Sequence, residues 1–239
     1  MLGTALAFTL VPVAAAAVSG GIAALKAPGP RVTSALQHLA AGVVFAAAAI
    51  ELIPGVLHHS PLVAIAGFTA GILVMFGFRA ASERIELRRD RSGQTGLPIG
   101  FAVATGIDFF IDGIILGAGF VTGGKVGALL TIALAVEYMF VGLSLAATLT
   151  TTVSRRVVAL APVALALLTV AGTALGVVLL AGASPTLLAG VLAFGAVAFM
   201  YLATEELLVE AHHTGETSLG SVGYFVGFLL YLVLTEVIG

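Results

Sequence analysis

The chain has 239 residues, of which 60% are hydrophobic and only 9% are charged, and its formal net charge is −2. Its mean hydropathy is +1.17. A soluble domain carries about 25% charged residues, so this composition excludes a water-soluble globular protein and indicates an integral membrane protein. The sequence contains no cysteine, which excludes disulfides and thiolate metal sites.

Hydrophobic segments long enough to cross a bilayer recur along the whole chain. A membrane-spanning helix needs about 20 mostly apolar residues. We predict an all-α, polytopic membrane helix bundle that forms a single transmembrane domain over residues 1–239, with a polar 3/4 loop at about 82–97. The eight predicted spans, separated by Pro, Gly or Arg residues, are about 3–25, 33–57, 61–81, 98–121, 125–151, 157–182, 185–209 and 219–238.

The first predicted span resembles a signal peptide only superficially. The segment from Leu2 to Leu25 is apolar throughout, and no basic region precedes it. A secretory signal would carry such a region. We therefore expect this segment to be retained as the first membrane helix.

The basic residues predict the orientation of the chain. Nine of the ten lie between spans 1 and 2, in or beside the 3/4 loop, or between spans 5 and 6, and only Lys125 lies on the other side. Cytoplasmic loops carry the excess of Lys and Arg. We therefore predict a multi-pass protein of the cell membrane with both termini external and the 3/4 loop cytoplasmic.

Two aspartates, Asp108 and Asp112, are the only ionisable residues of predicted span 4. A spacing of four places both carboxylates on one helix face. Each costs roughly 2.5–3.5 kcal/mol at a helix centre, so the pair costs on the order of 5–7 kcal/mol before a partner is found. Intramembrane acids of this kind mark ion or proton pathways, and a cation path is the interpretation we favour.

Other ionisable residues lie in or at the ends of the predicted spans. No Lys or Arg lies deep in any span, so we expect these acids to have no buried basic partner. The alternative is that they hydrogen-bond between helices as neutral acids. Because the acids occur in several spans, a shared hydrophilic pathway is the better account. Besides the two aspartates, the candidates are Glu51, Glu137, Glu205, Glu206, Glu236 and His38.

Four segments resemble motifs of the ZIP (Zrt/Irt-like) metal transporter family. Residues 201–213 are similar to the seventh helix of that family, with its Glu-Glu-Leu-hydrophobic-Pro-Glu-Ala-His pattern. Residues 51–54 resemble the second-helix motif His-Leu-x-Pro, with Glu in place of His. Residues 108–113 and 137–142 stand where helices 4 and 5 carry His-Asn-x-Pro-Glu-Gly and His-Glu-x-Pro-Glu-Gly. The resemblance implies a ZIP-like fold of eight helices.

The resemblance implies a mid-membrane metal site, but with altered ligands. In the family, helices 4 and 5 build a two-metal site. Carried over residue by residue, one site survives as Asp108, Asp112 and Glu137, whereas the second has lost most of its ligands. The departures are Phe109, Tyr138 and Val141 at ligand positions, and Ile111 and Phe140 at the motif prolines.

The surviving ligand set consists of carboxylate oxygens only. Zinc usually has nitrogen or sulfur ligands, whereas oxygen shells suit harder ions such as Mn²⁺, Mg²⁺ or Ca²⁺. Three close carboxylates cannot all stay charged in a low dielectric without an ion, so at least one would hold a proton. Exchange of a cation for protons is therefore expected at this site.

The remaining candidates are assigned to the transport pathway. We predict that Glu51, Glu205 and Glu206 line the path and that His212 lies near its cytoplasmic exit. Both adjacent histidine pairs, 58–59 and 212–213, follow predicted helix ends. Simple solvation is the alternative for such histidines.

The leading functional hypothesis is a carrier that moves a divalent metal ion (Zn, Mn, Fe or another) toward the cytoplasm by alternating access. A proton-linked or monovalent-cation carrier on the same scaffold is the alternative. A third hypothesis is a non-transporting membrane protein whose acids pair with a partner. We expect no enzyme activity and no nucleic-acid partner. We expect contact with membrane lipid, and the resemblance alone implies a homodimer.

Overall fold

The computed structural model describes residues 1–26, 28–57, 59–91, 99–149, 154–215 and 218–238. These residues form helices and short connections, and none of them lies in a strand. Eight of the helices are long and apolar enough to cross a membrane, which confirms the predicted all-α membrane bundle.

We number these helices α1 to α8 in chain order. Two of them, α2 and α7, each contain a short π-helical segment, at Ala48–Leu52 and Leu202–Leu207 respectively. The helices are α1 (Leu2–Leu25), α2 (Pro30–Leu57), α3 (Pro61–Arg91), α4 (Ile99–Thr122), α5 (Gly124–Leu149), α6 (Arg155–Leu180), α7 (185–215) and α8 (Ser218–Ile238).

Helix α3 extends further than the sequence predicts. It continues to Arg91, so the first half of the expected 82–97 loop is helical. The segment 82–91 is rich in Glu and Arg, which are strong helix formers, and nothing in it breaks the helix. Residues 92–98, with Gly93 and Gly96, lie outside the described part of the chain.

The helices pack as two groups of four. Helices α1, α4, α5 and α6 contact one another, and helices α2, α3, α7 and α8 form the other group through the α2–α8, α3–α7 and α2–α7 contacts. The groups meet where α2 contacts α5 and where α4 contacts α3 and α7. This arrangement places the acids of α4 and α5 at the boundary between the groups.

Glycines allow α4 and α6 to approach closely. A methyl group at Gly113 would collide with the backbone carbonyl of Thr169, and one at Gly172 would collide with that of Phe110. Small residues serve this purpose in membrane helices, where packing replaces the hydrophobic effect as the driving force for association. The close approach brings the polar Thr169 of α6 next to the acidic face of α4.

The two π-helical segments carry three of the predicted pathway acids. Glu51 lies in the segment of α2, and Glu205 and Glu206 lie in the segment of α7. In α2, the N–H of Ile53 donates to the carbonyl of Ala48, five residues back. Pro54, the next residue, has no N–H to donate, which favours such a rearrangement. Single π turns occur frequently at functional sites.

Candidate metal centre

Three carboxylates meet at the boundary of the two helix groups. Asp108 and Asp112 project from α4 and Glu137 projects from α5, and each offers one oxygen such that the three oxygens lie within 4.8 Å of one another. Glu137 is 0% and Asp112 1% exposed, whereas Asp108 is partly buried. Among the described residues, this is the one cluster of three or more His, Cys, Asp or Glu side chains with metal-binding spacing.

The spacing of these oxygens suits a single ion. Calcium–oxygen distances are about 2.3–2.6 Å, so oxygens on opposite sides of one Ca²⁺ ion lie about 4.6–5.2 Å apart. Donor atoms within 4.8 Å of one another can therefore reach a common ion. Mn²⁺ and Mg²⁺ are smaller and require a modest contraction of the cluster, because their oxygen ligands lie closer.

Electrostatic repulsion makes the empty, fully ionised cluster unfavourable. At 4.8 Å and an effective dielectric constant of 20, two unit charges repel by about 3.5 kcal/mol. Three such pairs sum to about 10 kcal/mol. A cation, bound protons or both must offset this repulsion.

The carboxylate of Glu137 is buried without a hydrogen-bond donor among the described residues. Both of its carboxylate oxygens are buried, and neither has a hydrogen-bond partner among the described residues. A buried carboxylate without a donor is very costly. The two chemical groups that relieve this cost are a metal ion and a proton, which Glu137 could share with Asp112.

Asp112 is held by a chain of hydroxyl groups. The Tyr138 hydroxyl donates to Asp112 Oδ2 over 3.3 Å and lies 2.6 Å from the hydroxyl of Thr169. Because a phenol has a single proton, Thr169 must donate to Tyr138 when Tyr138 donates to Asp112. From the sequence, Tyr138 is predicted only as a lost ligand, and no motif points to Thr169. The one sequence signal for this contact is a phenol beside Glu137 within an apolar helix.

The positions that depart from the family motif are filled by an aromatic pair. The rings of Phe109 and Tyr138 stack with their centres 3.7 Å apart and their planes at 17°. Both side chains are fully buried. At these two positions the pair presents aromatic ring carbons, and its one polar side-chain atom is the Tyr138 hydroxyl.

A cavity of about 530 Å³ leads to the cluster from one end of the bundle. Asp108 lines it, as do Glu205 and Glu206 of α7. Its lining comes from both helix groups and includes five acidic residues and one arginine, a balance that attracts cations. The other polar and charged residues in the lining are Gln37, Arg79, Ser82, Glu83, Thr105, Ser144, Tyr201 and Glu210.

Arg79 pairs with one of the predicted pathway acids, but the contact is exposed, so it is not the buried basic partner whose absence the sequence predicts. Its guanidinium contacts Glu205 Oε2 at 2.8 Å and Glu83 Oε1 at 3.0 Å. Arg79 is one of the basic residues in or beside the predicted 3/4 loop, but α3 continues past it and holds it at the cavity wall. All three side chains are 42–62% exposed, so each pair contributes only about 0–1 kcal/mol.

The structure does not bring Glu51 and His212 to the cavity with the other acids. Glu51 is partly buried and accepts a hydrogen bond from Thr235 of α8 over 3.5 Å. His212 lies near the end of α7 with its ring beside His38 of α2. Neither Glu51 nor His212 lines the cavity. His58 lies outside the described residues.

The model of the ZIP zinc transporter family matches residues 89–235, more than half of the chain. This range contains the three clustered carboxylates, Glu205, Glu206 and His212, whereas Glu51 precedes it. No curated protein matches the chain. The family is one of transporters rather than enzymes, and the buried carboxylate cluster is compatible with a metal ion as substrate. The chain therefore belongs to the ZIP zinc transporter family, and its function is in general terms metal-ion transport.

Proposed function

We propose that this protein carries a divalent metal ion toward the cytoplasm and that Asp108, Asp112 and Glu137 bind the ion in the middle of the membrane. The observation that supports this proposal most strongly is Glu137, whose two oxygens are buried without a donor within reach of two further carboxylates. One divalent ion bound by three carboxylates leaves a net charge of −1, which removes most of the repulsion within the cluster.

The proposed ion is a hard one. The ligand set consists of oxygens alone, and the Tyr138 hydroxyl beside it is a further oxygen. Carboxylate and hydroxyl groups suit Mn²⁺, Mg²⁺ and Ca²⁺, whereas imidazole and thiolate groups favour zinc. We therefore expect Mn²⁺ to bind more tightly relative to Zn²⁺ than it would at a site containing histidine.

The proposed path runs from the cluster through the cavity, past Glu206 and Glu205. The cavity opens at the end of the bundle where α3, with its arginine-rich C-terminal turn, and α5 end, and the basic residues there predict the cytoplasm. The Arg79–Glu205 pair lies on this path and is weak enough for a passing divalent ion to displace. A rearrangement of the two helix groups would then alternate access to the cluster.

Ion binding tests the proposal directly. Thermal unfolding of the detergent-purified protein would be followed with Mn²⁺, Mg²⁺, Ca²⁺, Zn²⁺ and Cd²⁺. An ion at 100 times its Kd adds about 2.7 kcal/mol to the free energy of unfolding. We expect Mn²⁺ to raise the unfolding midpoint, Asp112→Asn to abolish this rise, and the exposed variant Glu83→Gln to preserve it. If Asp112→Asn preserves it too, or if no ion shifts the midpoint, the proposed site is wrong.

A proton-linked or monovalent-cation carrier is the second candidate. The stacked Phe109–Tyr138 pair supports it, because this pair removes polar atoms from the positions where the family motif has ligands. With fewer ligands the affinity for a divalent ion is lower, while the three carboxylates still bind protons. This candidate predicts that no divalent ion stabilises the protein, whereas a proton flux into proteoliposomes depends on Asp112.

A further inference from the structure

The buried hydroxyl of Thr169 extends the polar environment of the carboxylate cluster to helix α6. This helix contains no acid and no histidine along Arg155–Leu180, and Thr169 is 0% exposed. The Thr169 hydroxyl lies 2.6 Å from that of Tyr138, which donates in turn to Asp112 Oδ2 over 3.3 Å. A side chain that touches neither the ion nor a carboxylate can therefore act on the cluster through one intermediate hydroxyl.

Tyr138 has more acceptors within reach than it has protons. Its hydroxyl oxygen lies 2.6 Å from Thr169 Oγ1, 3.3 Å from Asp112 Oδ2 and 3.5 Å from the carbonyl oxygen of Phe109. A phenol carries a single proton, and distance alone favours Thr169 as its acceptor. If the proton pointed to Thr169, Asp112 would receive no hydrogen bond from Tyr138. The direction of the short bond therefore decides whether Tyr138 holds Asp112.

The hydrogen bonding of Thr169 sets the direction of that short bond. Two other buried threonines, Thr9 and Thr131, donate to the carbonyl four residues back in their own helix, each over 2.8 Å. Thr169 makes no such bond, and Tyr138 is its one hydrogen-bond partner among the described residues. A buried hydroxyl proton without an acceptor is costly. Thr169 therefore donates to Tyr138.

The chain of hydrogen bonds then runs in one direction, from Thr169 through Tyr138 to Asp112. The phenol proton is left for Asp112, and a hydroxyl that accepts a hydrogen bond becomes a stronger donor. We infer that Thr169 is a positioning residue of the carboxylate cluster, whose hydroxyl directs Tyr138 toward Asp112 and so fixes Asp112 for ion binding. The inference rests on the proposed function, because it takes the cluster as the ion site.

Thr173 provides the matched comparison. It lies one turn after Thr169 on α6, is likewise 0% exposed, and has its hydroxyl 3.2 Å from that of Thr9 on α1. Among the described contacts, only the hydroxyl of Thr169 leads on to Asp112. Substitution by Val keeps the shape of either threonine and removes its hydroxyl. Packing alone predicts similar effects at the two positions, whereas positioning predicts weaker ion binding only for the variant at Thr169.

Equilibrium dialysis of Mn²⁺ with the detergent-purified, full-length protein tests the inference. We expect Thr169→Val to raise the Kd for Mn²⁺ about 3- to 10-fold, less than a group in direct contact with the ligand would, because Thr169 acts one bond further away. Thr169→Ser, which restores the hydroxyl, should bind as the wild type does, and Thr173→Val should leave the Kd unchanged. In the Tyr138→Phe background, Thr169→Val should have no added effect. Equal Kd values in Thr169→Val and Thr173→Val would overturn the inference.

Unfolding midpoints of the metal-free protein give a second readout, which does not require the cluster to bind a metal. Asp112→Ala removes the acceptor at the end of the chain. Because Thr169 is coupled to Asp112 through Tyr138, the midpoint shifts of Asp112→Ala and Thr169→Val should be non-additive, and they should become additive in the Tyr138→Phe background. Additive shifts with Tyr138 present would overturn the inference. Non-additive shifts in a protein that binds no Mn²⁺ would refute the proposed function and leave the positioning of Asp112 by Thr169 supported.

Discussion

The carboxylate oxygens of the cluster differ in their hydrogen bonding. Glu137 has two unsatisfied oxygens, whereas Asp112 has one oxygen fixed by the Tyr138 hydroxyl. The fixed oxygen leaves the other Asp112 oxygen to face an ion. In the proposed site, Tyr138 is a positioning residue that acts through Asp112, and its ring stacks on Phe109.

Replacing Tyr138 by Phe tests this role. The variant keeps the ring stack but removes the donor to Asp112 and leaves Thr169 without its 2.6 Å partner. Loss of such an orienting hydrogen bond typically weakens metal binding 10–100-fold, so we expect the Kd for Mn²⁺ to rise on the order of 10-fold. Tyr224→Phe, on α8 and away from the cluster, is the control. Equal Mn²⁺ affinity in the two variants would show that Tyr138 serves only packing.

Substitution of the two adjacent glutamates of α7 by Gln is expected to lower transport to different extents. Both glutamates line the cavity together with Asp108, and Glu205 is in addition paired with Arg79. We expect Glu206→Gln to lower transport several-fold while ion binding at the cluster persists, because Gln retains the shape of Glu but not its charge. Glu205→Gln should have the smaller effect, since its charge is already balanced. Uptake and equilibrium binding measured on the same preparations distinguish these outcomes. If both variants take up and bind the ion as the wild type does, the glutamates of α7 contribute to packing only.

Among the helices, some pack closely through glycines and others contain π-helical segments. Helix α4 packs on α6 through glycines and is continuous past its aspartates, whereas α2 and α7 are widened by π segments at their glutamates. The loss of the motif prolines at Ile111 and Phe140 agrees with the unbroken α4 and α5. The acids of the cluster thus project from regular helices, while the predicted pathway acids project from irregular ones.

Substitution of Gly172 by Ala tests the importance of the α4–α6 approach. A methyl group there would collide with the carbonyl of Phe110, and overpacking of this kind costs typically 1–3 kcal/mol. We expect the unfolding midpoint to fall by several degrees, on the order of 2–4 °C per kcal/mol for a chain of this size. Gly77→Ala is the matched control, since nothing lies within 4 Å of the added methyl group there. Equal midpoints would show that the two helices can separate without cost.

The sequence predicted the spans and the clustered acids because hydrophobic length and isolated charge are local signals. The spacing of Asp108 and Asp112 already places them on one face, and Glu137 is the one acid of α5. The Thr169–Tyr138–Asp112 chain, the Arg79–Glu205 pair and the His38–His212 contact each join distant helices. Their formation depends on how the helices pack, which no local pattern in one sequence contains.

At the scale of the whole molecule, two four-helix groups meet at a cavity that opens at one end. Polar and acidic side chains from α3, α4, α5 and α7 face this cavity, while large apolar side chains of α3, α6 and α8 are exposed on the outside. An apolar outside and a polar inside are the arrangement that a bilayer requires. The proposed role of the cavity as a cytoplasmic exit depends on which side of the membrane it faces.

Labelling of single cysteines tests the orientation. The chain has no native cysteine, so Lys125→Cys and Ser154→Cys each introduce a single thiol at an exposed position. We expect an impermeant maleimide to label position 125 in intact cells and position 154 only after the membrane is opened. Labelling of position 154 from outside would reverse the predicted topology and turn the cavity into an external entrance.

Transport of Mn²⁺ into proteoliposomes is the measurement that tests the central claim most directly. Wild-type protein should take up Mn²⁺ in a saturable manner. Asp112→Asn and Glu137→Gln should each lower the rate on the order of 10-fold or more, because a charged ligand is lost, whereas Glu236→Gln, at an exposed position outside the cavity lining, should leave it unchanged. Mn²⁺ uptake at the wild-type rate by Asp112→Asn and Glu137→Gln would contradict the assignment of the carboxylate cluster as the transport site.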